Sequence, residues 1–533
     1  MSSASRLELF LRKTNSRSQM SHYSVARIRE GIGHFVIGRG IAAVMALVVN
    51  IILVRILEER EYAAYVTLVA LQLFLLTLSS HGIDRVVARY IPAAVVKDAW
   101  SGLSIFLLKL VSVKTASVTI ILVISTLLAT WLTITLNLPD FAHLLPAFWA
   151  YTLGFALFET LVSAAQALML QHYVKVQLVL QWGLRLVTLF VLTEFDVAIT
   201  LNVVLWIFAA TSLLTTLGLA MSVFWYMRAR VRDVKAHPPV VWPQDMKPIT
   251  QMGIHNYLQG LAWLPSSGAS LRLLAASFLS VAVTGAFGFF QTLTGTLQRY
   301  MPIMLILGLI ESIVAGRYEQ ERDIGQMNST LSAALKVNLL ILAPLIAWLV
   351  VAGQDVVILL TGGKFADLAG YLPVMVAVLI PGGHWQVFSV AANSVEKSHI
   401  LPRATLVANV ALVPVVLVLT MQPLYGMAAM AFGAIVIEVV RNMLGIAMIR
   451  HDGIEYRLDR NGMAKITLAA ILAGFAGYVV HGWLEFKGSF LAATASLVTL
   501  LVVFLLIMVW KKAFTASERR MLAKLVGNRA IPI

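Results

Sequence analysis

The sequence predicts an all-α polytopic membrane protein of about fourteen transmembrane helices, and three observations carry that prediction. Of the 533 residues, 59% are hydrophobic and 13% charged, with a mean hydropathy of +0.84; a soluble domain carries roughly 25% charged residues. Apolar runs of about 20 residues recur along the chain, the length at which a helix crosses a bilayer. The basic residues between those runs fall on one side: alternate loops hold Arg85, Arg89, Lys97, Lys175, Arg230, Arg232, Arg450 and Arg457, while the opposite loops hold little beyond Arg55, Arg60, Lys364 and Lys487. Positive charge marks the cytoplasmic face, so both termini are expected in the cytoplasm.

The elements follow in order. Residues 1–34 form a basic cytoplasmic segment, either a short interfacial amphipathic helix or a basic tail. Spans one to six lie near 35–54, 62–78, 111–136, 145–170, 177–193 and 201–226, and 35–227 is expected to form an N-terminal lobe. The polar linker 228–248, with Arg230, Arg232, Lys235 and Pro238-Pro239, is the candidate boundary. Spans seven to twelve lie near 249–279, 281–313, 331–351, 371–392, 401–421 and 424–449, forming a C-terminal lobe over 249–450. The seventh is interrupted at Trp263-Leu-Pro-Ser-Ser-Gly268 and the tenth at Pro381-Gly-Gly383. Two further spans fill 451–510. The basic tail 511–533 sets Met521, Leu522, Leu525 and Val526 at helical spacing, which predicts an amphipathic segment on the inner leaflet.

Composition excludes several function classes. There is no cysteine, so disulfides, thiolate metal sites and a thiol nucleophile are ruled out. The net charge of +15 lies in the connections and suits anionic lipid rather than nucleic acid. The sequence holds no His-Glu-x-x-His, no Asp-x-Asp and no Gly-rich phosphate loop with lysine, so neither metal nor cofactor is expected. The loops are short, which leaves no room for an extracytoplasmic catalytic domain.

The first hairpin carries a motif. Arg55, Glu61, Tyr62 and Tyr65 sit in the connection between spans one and two, and Ser80, Gly82, Ile83, Arg89 and Tyr90 follow span two. This pattern resembles the polysaccharide flippases of the MATE-like superfamily. In that family the first motif reads arginine, two residues, then Gly-Pro-x-Glu-Tyr-Gly-x-Tyr; here Ala63 replaces the second glycine, and Glu58-Glu59 stand where Gly-Pro is common. The resemblance implies two six-helix lobes around a central cavity with two appended helices, in the bacterial inner membrane. It also implies the activity: alternating access that carries polyprenyl-pyrophosphate-linked oligosaccharide repeats to the outer leaflet for surface polysaccharide biosynthesis, alongside polysaccharide polymerase and export proteins. A faint internal echo, Glu61-Tyr-Ala-Ala-Tyr65 against Thr284-Gly-Ala-Phe-Gly288, agrees with duplicated lobes.

An ionisable residue in mid-span costs about 2.5–3.5 kcal/mol on insertion scales, so each one is a functional candidate. Arg39 either snorkels to the inner headgroups or faces a central cavity. Arg185 and Arg299 lie deeper and either line the cavity or are structural. Arg272 falls late in span seven, one residue after Leu271, where the family often has aspartate; that departure weakens any cation-coupling role there. Glu159 either pairs with Arg185 or takes up a proton. Glu438 stands three residues before Arg441, a spacing that favours an intrahelical pair over ion coupling. His384 reads as packed or capped. Arginines outnumber carboxylates in the spans, and a guanidinium fork suits a pyrophosphate. The alternatives are a multidrug or small-solute antiporter of the same fold, which would want cavity carboxylates, and a membrane glycosyl-transfer enzyme.

Overall fold

The computed structural model describes residues 25–234, 242, 245–304, 314 and 322–525. The segment 1–24, most of the linker beyond 234, the end of the eighth expected span and the tail after 525 lie outside them. Every regular element among the described residues is a helix. Twelve of these helices are long and apolar enough to cross a membrane. They match the expected spans one to six and nine to fourteen.

The seventh and eighth expected segments are helical but are not among the twelve. The seventh is cut into helices of 17 and 11 residues around Leu264–Ser266, where Pro265 interrupts the hydrogen-bond ladder. The eighth carries Gln291, Thr292, Thr294, Thr296, Gln298 and Arg299 in 20 residues.

The chain divides into two compact units. Unit 1 holds the described residues up to Leu57 together with Leu71–Leu261, and unit 2 holds Glu58–Ala70 and the described residues from Ala262 onward. The division thus falls after the Arg228–Pro248 linker, and one helix begins in unit 2 and ends in unit 1.

Unit 1 contains α1 (Val25–Ile56), the end of α2 (Glu59–Leu78), α3 (Ile83–Val96), α4 (Trp100–Leu127), α5 (Ala129–Thr135), α6 (Leu145–Ala167), α7 (Gln171–Glu194), α8 (Leu201–Val234) and most of α9 (Lys247–Trp263). The third span starts at Trp100, eleven residues earlier than expected, and α4 holds Lys114 as a buried residue. Its Nζ donates to the Ser79 carbonyl oxygen at 3.0 Å and to Ser79 Oγ at 3.3 Å. The basic stretch after α2 is itself a helix, α3. Its Val86, Val87, Ile91 and Ala94 are buried in one core with Phe106, Phe158 and Trp242, while Arg85 and Arg89 stay exposed. At 34 residues α8 is ~51 Å long, more than the ~30 Å of hydrocarbon, so it projects beyond the membrane.

Unit 2 contains the start of α2, then α10 (Gly268–Phe278), α11 (Val281–Tyr300), α12 (Ile324–Thr361), α13 (Leu372–Ala377), α14 (Leu379–Ser394), α15 (Ile400–Ala408), α16 (Leu412–Met421), α17 (Gly426–His451), α18 (Arg460–Leu484), α19 (Ser489–Lys511) and α20 (Ala516–Leu525). The two echoed segments meet inside this unit. A Cβ on Gly288 would lie 2.5 Å from Val66 Cγ2, and one on Gly285 would lie 2.9 Å from the Phe365 ring. Small residues at 285 and 288 therefore let α11 seat directly on α2. Tyr62 is fully buried there, with its ring centroid 6.3 Å from Phe289, 6.0 Å from Phe365 and 6.0 Å from Tyr65. At the start of the tail, Phe514 and Glu518 are buried in unit 2; the side chains of Met521, Leu522, Leu525 and Val526 lie outside the described ones.

Gly82 gives a direct test of the α2–α3 corner. Its φ is +66°, and a Cβ there would lie 2.3 Å from the Gly253 carbonyl oxygen. Gly82→Ala is predicted to cost about 1–3 kcal/mol through backbone strain and the clash. In detergent its melting temperature should fall measurably, while Gly40→Ala, which meets open space, should leave it unchanged or raise it.

Candidate functional site

The cations in and near the spans sort by what neutralises them. Arg185, on α7, is fully buried. Its guanidinium carbon lies 4.2 Å from the Phe208 ring centroid, 4.6 Å from that of Trp182 and 5.6 Å from that of Tyr151. Its Nε donates to Thr211 Oγ1 at 3.1 Å and its Nη2 to Ser212 Oγ at 2.8 Å. Trp182 comes from three residues earlier on α7, and Phe208, Thr211 and Ser212 from one face of α8. This cage shields the charge with aromatic faces and hydroxyls, and a substrate would reach Arg185 only if it opened.

Arg441, on α17, is ion-paired with Glu438 one turn away and lies 4.9 Å from the Trp385 ring centroid. Glu438 is thus held by a neighbouring cation. His384 packs beside this turn: its Nδ1 lies 2.5 Å from Asn442 Oδ1, and its Nε2 lies 3.4 Å from the Tyr456 hydroxyl. Glu159 is exposed on α6, and Arg39 is exposed on α1 one residue after Gly38, which packs against Lys175.

Lys336, on α12, is neutralised by groups distant in sequence. Its Nζ meets Asp459 Oδ2 at 2.5 Å, Glu518 Oε2 at 2.7 Å and the Ala513 carbonyl oxygen at 3.1 Å. Glu518 Oε2 also accepts from the Thr515 backbone N–H at 2.7 Å, while Thr515 Oγ1 accepts from the Glu518 N–H at 3.3 Å. That reciprocal pair is a capping box that starts α20. The partners of Lys336 stand 123 and 182 residues away, so no local spacing marks the cluster.

Arg272 and Arg299 differ from all of these. Arg272 is partly buried on α10, whose start is fixed by Ser267 Oγ accepting from the Ser270 N–H at 3.2 Å. Its Nε donates to Gln291 Oε1 on α11. Arg299, in the last turn of α11, is exposed and within electrostatic reach of Arg272. Among the described residues neither arginine has a carboxylate partner. The other ionisable neighbours of Arg272 are Tyr62 and Tyr65 on α2. Among the described residues the site is therefore two like charges with no carboxylate beside them, Arg272 having amide and phenol neighbours, an arrangement that favours an anion. Gln291 and Tyr62 escaped the sequence reading as site residues. The run of glutamines and threonines that lowers the hydropathy of α11 was the available signal.

The comparisons with known proteins agree with this fold. Residues 28–314 match the model of a family described as polysaccharide biosynthesis protein. This chain belongs to that family. No curated protein sequence matches it. Among solved structures it is similar to the lipid II flippase MurJ in an inward closed conformation, with a TM-score of 0.58 and 11% identity over 90% of this chain and 98% of that one. It is also similar to an inward-facing MATE-family multidrug resistance transporter of the MOP superfamily, with a TM-score of 0.58 and 16% identity over 77% of this chain and 94% of that one. An outward-facing MATE transporter gives a TM-score of 0.50 and 16% identity over 79% of this chain and 95% of that one. At these identities the likeness is one of fold: the chain has the MATE-like membrane architecture.

The Lys336 cluster makes tail docking acid-sensitive. Burial disfavours the charge on Asp459, but hydrogen bonds from Lys336 and the Gly462 N–H, together with the Lys336 charge, outweigh it and hold the carboxyl below the usual range. A depressed folded-state value stabilises the ionised, docked form. That contribution is complete above about pH 4, the ordinary aspartate range, and is lost as pH falls through the folded value. A spin label on Ser517→Cys, a unique thiol in this chain, should be immobilised at pH 7 and gain mobility below about pH 4.

Proposed function

We propose that this protein is a flippase that moves polyprenyl-pyrophosphate-linked oligosaccharide repeat units from the cytoplasmic to the outer leaflet of a bacterial inner membrane, for surface polysaccharide biosynthesis. The observation that carries this reading is the pair Arg272 and Arg299, on α10 and α11 of a polytopic membrane fold, with no carboxylate partner among the described residues. A diphosphate supplies the missing negative charge, and a guanidinium binds its oxygens in a bidentate fork. Family membership in polysaccharide biosynthesis supplies the sugar.

Transport by alternating access requires only that the anion be bound from one side and released to the other. An inside-negative potential favours outward movement of negative charge by roughly 2.3 kcal/mol per charge per 100 mV. A separate coupling ion is then unnecessary for direction. Lipid travels with the substrate, and polymerase and export proteins act after it. Both termini lie in the cytoplasm on this reading, as the distribution of basic loops requires. A cationic-drug antiporter fits less well, because Glu438 is already bound to Arg441.

The test is complementation of a strain lacking the gene. Arg272→Ala and Arg299→Ala should each reduce surface polysaccharide to roughly a tenth or less, as expected for loss of one charge-assisted contact of about 1.5–3 kcal/mol, with membrane levels unchanged. Arg→Lys at either position should restore part of it, since lysine keeps the charge and loses the fork. Full polysaccharide in the double alanine variant would remove both residues from the mechanism.

A further inference from the structure

We infer that the connection 454–459 is a strap across one end of unit 2, and that its Tyr456 locks a hinge at Pro381-Gly-Gly383 in α14. The strap joins α17 to α18 and has no regular secondary structure. It is nevertheless tied down along its length. The Glu455 carbonyl oxygen accepts from Asn328 Nδ2 at 2.7 Å, and the Tyr456 carbonyl oxygen accepts from Arg450 Nη2 at 3.2 Å. At the far end Ser332 Oγ accepts from the Asp459 N–H at 3.1 Å. Asn328 and Ser332 stand one turn apart near the start of α12, and Arg450 lies in the last turn of α17. The strap is thus fastened to the ends of both helices.

Tyr456 is the one residue of the strap that is buried, while its neighbours Glu455 and Arg457 are exposed. Its ring meets two residues of α14 edge-on: Phe388, with centroids 5.4 Å apart, and His384, with centroids 5.8 Å apart. Hydrogen bonds carry the contact onward to the break. Asn442 Nδ2 donates to the carbonyl oxygens of Pro381 and Glu438, at 2.8 Å each. Asn442 Oδ1 therefore accepts from His384 Nδ1, which leaves His384 Nε2 as the acceptor that faces the Tyr456 hydroxyl. Tyr456, His384 and Asn442 form one chain of side chains that ends on the Pro381 backbone.

The break itself is suited to bending. Pro381 has no N–H, so a helical hydrogen bond is missing there. A Cβ on Gly383 would lie 3.0 Å from Asn338 Nδ2, so that glycine admits α12. Gly382 meets nothing within 4 Å, and packing does not account for it. What a glycine supplies at that position is a low cost of changing φ and ψ, the property of a hinge residue. With Tyr456 inserted, the chain through His384 and Asn442 holds the hinge in the form seen; with the strap withdrawn, α14 is free to bend.

Hydrogen–deuterium exchange of the purified full chain in detergent tests this. Tyr456→Ala and Asn442→Leu should each speed exchange over 379–386 by about tenfold, while 339–350 of α12 keeps its protection. Arg457→Ala, on the exposed side of the strap, should leave both segments as in wild type. Gly382→Ala added to Tyr456→Ala should slow exchange over 379–386 again by about threefold, because alanine stiffens the break. Wild-type exchange over 379–386 in either Tyr456→Ala or Asn442→Leu would overturn the inference. A rise spread evenly over α12 and α14 would also overturn it, by making Tyr456 an ordinary core residue. A double variant that exchanges as fast as Tyr456→Ala alone would remove the hinge.

Discussion

A charge inside a membrane protein must be neutralised, caged or put to use, because leaving it unpaired in hydrocarbon costs several kcal/mol. That constraint organises this molecule. Lys336 is neutralised by two carboxylates drawn from distant parts of unit 2. Arg441 is neutralised by Glu438 within one helical turn. Arg185 is caged by three aromatic faces and two hydroxyls. Arg272 and Arg299 are left with polar neighbours and no carboxylate among the described residues.

The helices around those two arginines are built for the same end. The segment from Lys247 to Phe278 is broken at Pro265, and α11 carries threonines and glutamines where a lipid-facing span would carry leucine. Irregular or polar backbone at membrane depth is tolerated only where protein or a water-lined space covers it. Gly285 and Gly288 bring α11 against α2, and this packing sets Tyr62 within unit 2 near Arg272. Local sequence and close packing are thus one chain of cause: small residues admit the contact, and the contact buries Tyr62.

Much of this was legible in the sequence. The run lengths gave twelve of the spans, since hydropathy over 20 residues reports directly on bilayer crossing. The pair Glu438 and Arg441 followed from helical spacing. Arg272 and Arg299 stood out because an arginine in an apolar run is rare. What remained hidden depends on long-range contact. The Lys114 hydrogen bonds to Ser79, which satisfy a buried cation inside α4, join residues 35 apart in sequence. The partners of Lys336 lie more than a hundred residues away. The cage of Arg185 is made by a different helix, and its residues are individually unremarkable threonine, serine and phenylalanine. Gln291 carried no motif, and its role emerges only from the Nε of an arginine on another helix.

On the proposed reading, an anionic diphosphate binds at Arg272 and Arg299. The most direct measurement is a cryo-electron microscopy structure of the full chain in nanodiscs with farnesyl diphosphate. Density for the diphosphate should contact both guanidinium groups, with the prenyl chain leading away toward lipid. Diphosphate density at another cluster, with Arg272 and Arg299 both turned to carboxylates or to bulk lipid headgroups, would contradict it.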